Sequence, residues 1–148
     1  MSAPLLHFRH GGQHFVIETR AVSEVIALPR MTRLPSPPPF LRGVVNHHGS
    51  VLPVADTDEL LGVPAGRKAS TGDTALVLAE NDARVVLPVE ATVGLEQGET
   101  QVAGRDPGTE PVVSIAGRAV NVLRLDDLLA RIEGGGARPR DGRDAGSG

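Results

Sequence analysis

Gly43–Leu61 reads GVVNHHGSVLPVADTDELL and Pro111–Leu129 reads PVVSIAGRAVNVLRLDDLL, and the two stretches superpose without a gap. Gly49 falls on Gly117, Val54 on Val122, Asp58 on Asp126, and Leu60-Leu61 on Leu128-Leu129, all at one offset. A single offset shared by unlike residues is the mark of one supersecondary unit made twice. Each copy holds two short β-branched runs about a glycine turn, then acidic residues and a leucine pair, which spells hairpin, turn and short helix. A chain of two matched β halves with no chemical centre of its own points to a docking scaffold rather than a catalyst.

Outward from these copies the chain reads as a series of short strands. Leu5–Phe8 and His14–Ile17 flank Arg9–Gln13, where Gly11 and Gly12 take positive φ at no steric cost, so a first hairpin is expected. Ala21–Leu28 is an extended run closed by Pro29, and Leu34–Pro39 is a stiff proline-rich connector because proline removes the ladder donor. Val44-Val45 and Val51–Val54 form the next hairpin, turning through Asn46–Ser50. Asp56 then caps a helical turn with Glu59 three residues on and Gly62 to stop it. Pro64–Asp73 is a polar loop and the expected junction between halves. Thr74–Ala79, Arg84–Val89 and Thr92–Leu95 read as strands and Gly98–Glu110 as a loop. Val112–Ile115 and Ala119–Leu123 read as the repeated hairpin, and Asp126–Ile132 as the closing helix. Gly134–Gly148 has too little apolar surface to offset chain entropy and is expected to be a disordered tail.

Composition bounds the function. At 148 residues the chain can bury roughly 68–70% of its unfolded surface, enough core to fold alone. Hydrophobic residues make up 40% but aromatics only 2%, so the core must be built from Val, Leu, Ile and Ala, which suit a pleated sheet. A net charge of −3 leaves no excess of positive charge to neutralise phosphates, which argues against nucleic acid as a partner. Cysteine is absent, excluding disulfides and thiol chemistry. No apolar run reaches the roughly 20 residues a membrane helix needs, and the N-terminus lacks the regions of a signal peptide, so a cytoplasmic location without membrane insertion is expected.

The run Phe40–Val54, FLRGVVNHHGSVLPV, resembles the signature segment of the CheW family of chemotaxis coupling proteins, which usually carries Asn-Leu-Arg-Gly at its turn. His14–Val25 looks like the family's first hairpin and following strand, Thr74–Val93 like the strand pair opening its second half, and Leu123–Leu129 like its closing helix. The resemblance covers everything except the two ends. It implies a mostly β fold of two small SH3-like five-stranded β-barrels packed about a shared hydrophobic seam, with a short helix closing each half. One such domain would span 1–133, its first barrel at about 5–63 and its second at about 73–133, with room for strand exchange between them. It further implies a non-enzymatic adaptor at receptor arrays. Such an adaptor binds the cytoplasmic tip of chemoreceptors, the regulatory domain of a CheA-type histidine kinase, and other CheW-like proteins.

Two departures from the family pattern are informative. His48 fills the arginine position, and the resemblance implies that this position faces Glu24; a Glu24–His48 contact is expected in place of the usual ion pair. The segment between Val93 and Val112 is shorter than usual, so the second barrel is expected to lack an edge. That favours, as an alternative, an accessory paralogue of gliding-motility type that binds receptors while its kinase contact is weak or lost. Glu24, Arg42, Gly43 and His48 are the leading interface candidates, with Val25, Asn46 and Gly49 beside them. Val22, Val44, Val51, Val86 and Val93 read as barrel core, and some of them, Val22, Val86 and Val93 first, join the set if they line the receptor seam instead.

Other chemistries lack a pattern. The five histidines, His7, His10, His14, His47 and His48, match no zinc spacing, so no metal or other cofactor is expected and solvated turn histidines are the default. Asp56–Glu59 lacks the glycine and distant glutamate of a calcium loop. Ser50 and Ser114 lack the elbow that activates a serine. A small metal-binding or hydrolytic barrel is thus a remote alternative, and a proline-peptide groove is disfavoured by the scarcity of aromatics.

Overall fold

A computed structural model describes residues 2–101, 112–115 and 117–137. Eleven strands and two α-helices are described, and the strands fall into two sheets. The first hairpin joins β1 (Ser2–His10) to β2 (Gln13–Glu18) through Gly11-Gly12, both at positive φ (60° and 76°), the turn its paired glycines call for. β3 (Val22–Ala27) follows a single 3₁₀ turn, and β4 (Thr32–Arg33) precedes the proline-rich connector. β5 (Leu41–His47) and β6 (Ser50–Ala55) form the hairpin of the first copy, followed by α1 (Thr57–Leu61). Then come β7 (Thr74–Glu80), β8 (Ala83–Pro88), β9 (Ala91–Gln101), β10 (Val112–Ile115), β11 (Arg118–Leu123) and α2 (Leu125–Ala137).

The two copies are the same unit, one in each sheet. β5–β6–α1 belongs to a six-stranded sheet ordered β3-β7-β8-β6-β5-β4, and β10–β11–α2 to a closed barrel ordered β1-β2-β11-β10-β9. The sheets depart from a plain division at 5–63 and 73–133 by the kind of strand exchange for which the expectation left room. The β1–β2 hairpin joins the barrel of the C-terminal strands, through the parallel pair β2–β11 and the antiparallel pair β1–β9. In return β7–β8 completes the sheet of the first copy, through β3–β7 and the parallel contact of Val54 with Val86. The repeats therefore exchange their hairpins, and the 64–73 loop links two strands of one sheet rather than two barrels.

Period-2 alternation then builds three apolar layers. On β7, Ala75 and Val77 face the interior of the six-stranded sheet with Val45, Val54 and Val86. On β1 and β2, Leu5 and Val16 face the barrel interior with Val113, Val120 and Val122. The opposite faces of both exchanged hairpins meet in the main core: Leu6, Phe8, Phe15 and Ile17 against Leu76, Leu78, Val85 and Leu87. Leu60 of α1 and Leu128 of α2, equivalent positions in the repeat, plug the same seam. Strands apolar on both faces, such as Leu76–Leu78, are the consequence.

Several local expectations hold and others do not. Asp56 caps α1 by accepting the Glu59 N–H at 3.2 Å, and Gly62 ends the helix at φ 70°. The hairpin of the signature run turns through two residues, His48-Gly49 (φ 52° and 83°), not through Asn46–Ser50. β9 runs on to Gln101, pairing with β1 from Arg9 to Ser2 and with β10. The second barrel is thus closed, and the edge expected to be missing is supplied by residues assigned to a loop. Gly98 is the reason: a Cβ there would stand 2.9 Å from Leu5 Cδ1 and from Val113 Cγ2, so the glycine serves strand packing. α2 extends to Ala137, taking in the first residues assigned to the tail; residues 138–148, like 102–110, lie outside the described residues.

Candidate functional site

The six-stranded sheet curls until β3, at one edge, meets β5, next to the other, and the meeting point is polar. His47 Nε2 lies 2.8 Å from Glu24 Oε2, and His48 Nε2 lies 3.6 Å from Glu24 Oε1. The expected Glu24–His48 contact is therefore the weaker of two, and His47 is the principal partner. Alternation along β5 explains this, since Gly43, Val45 and His47 share the buried face. The His47 hydrogen bond is the largest influence on the Glu24 carboxyl and, with the charge of the two imidazoles and the His48 contact, holds it below its usual pKa of 4.5 against the opposing effect of burial. Asn46 Oδ1 accepts the Gly49 N–H at 3.1 Å, so these two residues shape the turn while His48, 75% exposed, stands at its tip.

The remaining interface candidates divide by burial. Val25, next to Glu24, is 50% exposed, and Val93 on β9 is also 50% exposed. Val22 is half-buried against the main core. Arg42 is half-buried near Asp58. Gly43 is buried, and a Cβ there would collide with the Thr32 carbonyl oxygen of β4, so this glycine is required by strand packing. Val86 is fully buried inside the six-stranded sheet and belongs to the core, not to a contact surface. Two further apolar residues are exposed: Val51, expected in the core or the seam, which pairs with Asn46 beside the tip, and Leu95 on β9, which was not singled out from sequence. Their signal was register alone, since an apolar residue looks the same in sequence on either face of a strand.

A second polar cluster bridges the barrels. His10 Nε2 lies 2.6 Å from Asp58 Oδ1, and Asp58 Oδ2 accepts the Gly66 N–H at 3.0 Å. Beside it Arg9 meets Glu90 at 3.4 Å, and the Glu90 N–H donates to the Arg9 carbonyl at 3.1 Å. His7 bridges Glu96 (3.2 Å) and His14 (2.8 Å) on the barrel wall. His7 and His47 are buried, and all five histidines face a charged or ring partner, so they are not simply solvated turn residues. On another side of the seam a cleft of about 610 Å³ opens between β2, β7 and β11, rimmed by Glu18, Arg20, Glu80, Asn81, Arg124 and Asp126.

Asp58 yields an expected pH dependence. Burial alone would raise its pKa, but the Gly66 N–H and His10 outweigh it and hold the carboxyl below the ordinary value of 3.8. A carboxylate depressed on folding contributes stability that is complete above the unfolded value and is lost as pH falls through the folded one. Asp58→Asn should therefore flatten the stability curve below about pH 4 relative to the parent. Urea midpoints measured from pH 2.5 to 6 check this, and parallel acid limbs would contradict it.

No helix among the described residues is long and apolar enough to cross a membrane. Two interlocked β units, sealed by a common core and presenting polar clusters at a hairpin tip and a seam, define a binding module built from surfaces. The CheW-like domain matches residues 4–133, and the chain belongs to the CheW family of chemotaxis scaffold proteins. It is 30% identical over 139 residues to the chemotaxis protein CheW of Rhizobium meliloti, covering 84% of this chain and 86% of that one. A shorter stretch of 55 residues is 42% identical to protein PilI of Pseudomonas aeruginosa, covering 37% of this chain and 31% of that protein. The fold matches the crystal structure of scaffolding protein TtCheW from Thermoanaerobacter tengcongensis with a TM-score of 0.73 at 18% identity, covering 86% and 88% of the two chains.

Proposed function

We propose that this chain couples chemoreceptors to a CheA-type histidine kinase without catalysing a reaction. In this reading it works in the cytoplasm at receptor arrays, holding the receptor's cytoplasmic tip on one surface and the kinase regulatory domain, or another CheW-like protein, on a second. The observation that carries the reading is the conjunction, in a member of this family, of an exposed polar tip (Glu24, His48) with exposed valines Val25 and Val51 on the strands that form it. Apolar residues rimmed by polar ones suit a docking surface for a partner helix.

The accessory reading, receptor binding without kinase, drew on an open second barrel. Closure of β1-β2-β11-β10-β9 removes that ground and favours the coupler. The match to PilI favours a chemosensory setting without choosing the partner. Paired pull-downs with a receptor cytoplasmic domain and a kinase regulatory domain provide the test. The parent chain is expected to retain both. Val25→Asp, with an unchanged melting temperature, is expected to lose about tenfold in affinity for one of them, the equivalent of about 1.4 kcal/mol. Retention of neither partner by the parent would end the reading, and unchanged binding by Val25→Asp would move the interface elsewhere.

A further inference from the structure

Nothing in the spacing of the histidines suggests a metal, but the fold collects three donors at one point. Successive residues on a strand point to opposite faces, so neighbouring histidines ordinarily diverge. Here His47 ends β5 and His48 begins the turn in the left-handed region at φ 52°, which swings its ring back beside that of His47. The ring centroids stand 4.0 Å apart, and both Nε2 atoms approach the carboxylate of Glu24, one to each oxygen. One donor atom from each of the three residues lies within 4.8 Å of the others.

We propose that Glu24, His47 and His48 bind a divalent first-row transition cation, Zn²⁺ foremost, at the tip of the β5–β6 hairpin. Two imidazoles and one carboxylate are borderline donors suited to Zn²⁺ and poorly suited to Mg²⁺ or Ca²⁺, which take oxygen ligands. With bonds of 2.0–2.2 Å, tetrahedral donors around zinc stand about 3.4 Å apart. The two Glu24 contacts, 2.8 Å and 3.6 Å, bracket that spacing. His47 is held by burial, with a side chain 8% exposed, and gives the site a fixed ligand. His48 is mostly exposed and free to adjust its ring over the ion. Three protein ligands on an exposed tip leave the fourth position to water.

The other histidine clusters do not converge in this way. His7 spends one nitrogen on Glu96 and the other on His14, a chain rather than a cage, and among the described residues His10 meets the single carboxylate of Asp58. The proposal does not rest on the coupling role: the ion would bind this chain whether or not receptor and kinase do.

Calorimetric titration of the full chain with Zn²⁺ at neutral pH, with Mg²⁺ as comparison, tests it. One equivalent of Zn²⁺ and no Mg²⁺ is expected to bind. His48→Ala and Glu24→Gln are each expected to weaken Zn²⁺ by at least about tenfold, while His14→Gln leaves it unchanged. Co²⁺ in place of Zn²⁺ is expected to give a visible absorption band that His48→Ala abolishes. His48 is exposed, so its truncation leaves the fold intact, and an unchanged melting temperature confirms that any loss is local. Absence of saturable binding, binding undiminished in both variants, or loss in His14→Gln would each overturn the proposal.

Discussion

Phe8→Ala is expected to lower stability by about 3–5 kcal/mol, the cost of removing a large buried ring whose site cannot collapse. Phe8 is fully buried, and its ring stacks on Phe15 with centroids 5.6 Å apart. The chain has only three phenylalanines and no other aromatic residue except histidine, so nothing of similar size is at hand to refill the gap. Domains are held by about 5–15 kcal/mol in total, which makes this a substantial fraction. The seam around Phe8 is shared by strands of both sheets, so the loss should reach both. Urea unfolding followed by far-UV circular dichroism and by methyl resonances of Leu87 and Val120 is expected to give coincident curves, shifted together by the substitution. A shift below about 1 kcal/mol, or separate transitions for the two methyls, would show that the sheets do not depend on one core.

Gly43→Ala is the second large effect, and it concerns a residue the sequence placed at an interface. The added methyl would meet the Thr32 carbonyl oxygen and stand 2.9 Å from Met31 Cγ. The methionine can swing aside, but Thr32 is backbone, held by its pairing with Val44. Relief requires β4 to part from β5, at a cost of about 2–3 kcal/mol by analogy with overpacked cores. Faster amide exchange in Thr32 and Arg33 together with a lower melting temperature is the expected result. An unchanged melting temperature with weakened partner binding would instead return Gly43 to the interface.

The repeat was the most legible part of the sequence because turn chemistry and capping are local. Gly11-Gly12, Asp56, Gly62 and the leucine pairs each act within a few residues, and their elements formed as read. What depended on distant neighbours was not legible. The polar, glycine-bearing run of β9 looks like a loop until Leu5 and Val113 are known to crowd Gly98. Val86 sits in a strand apolar on both faces, which gives no hint of which face meets solvent. At the tip, the alternation of Gly43, Val45 and His47 did carry the inward placement of His47, whereas comparison with the family's arginine drew attention to His48. The convergence of both rings on Glu24 needed the left-handed φ of His48, which glycine or asparagine would have advertised and histidine does not.

The reciprocal hairpins carry a topological consequence. Cleavage of the backbone in the loop at 64–73 would leave two polypeptides, each owning a piece of both sheets and neither owning a finished one. Such fragments are expected to interlock as a complementing pair when expressed together and to be insoluble apart.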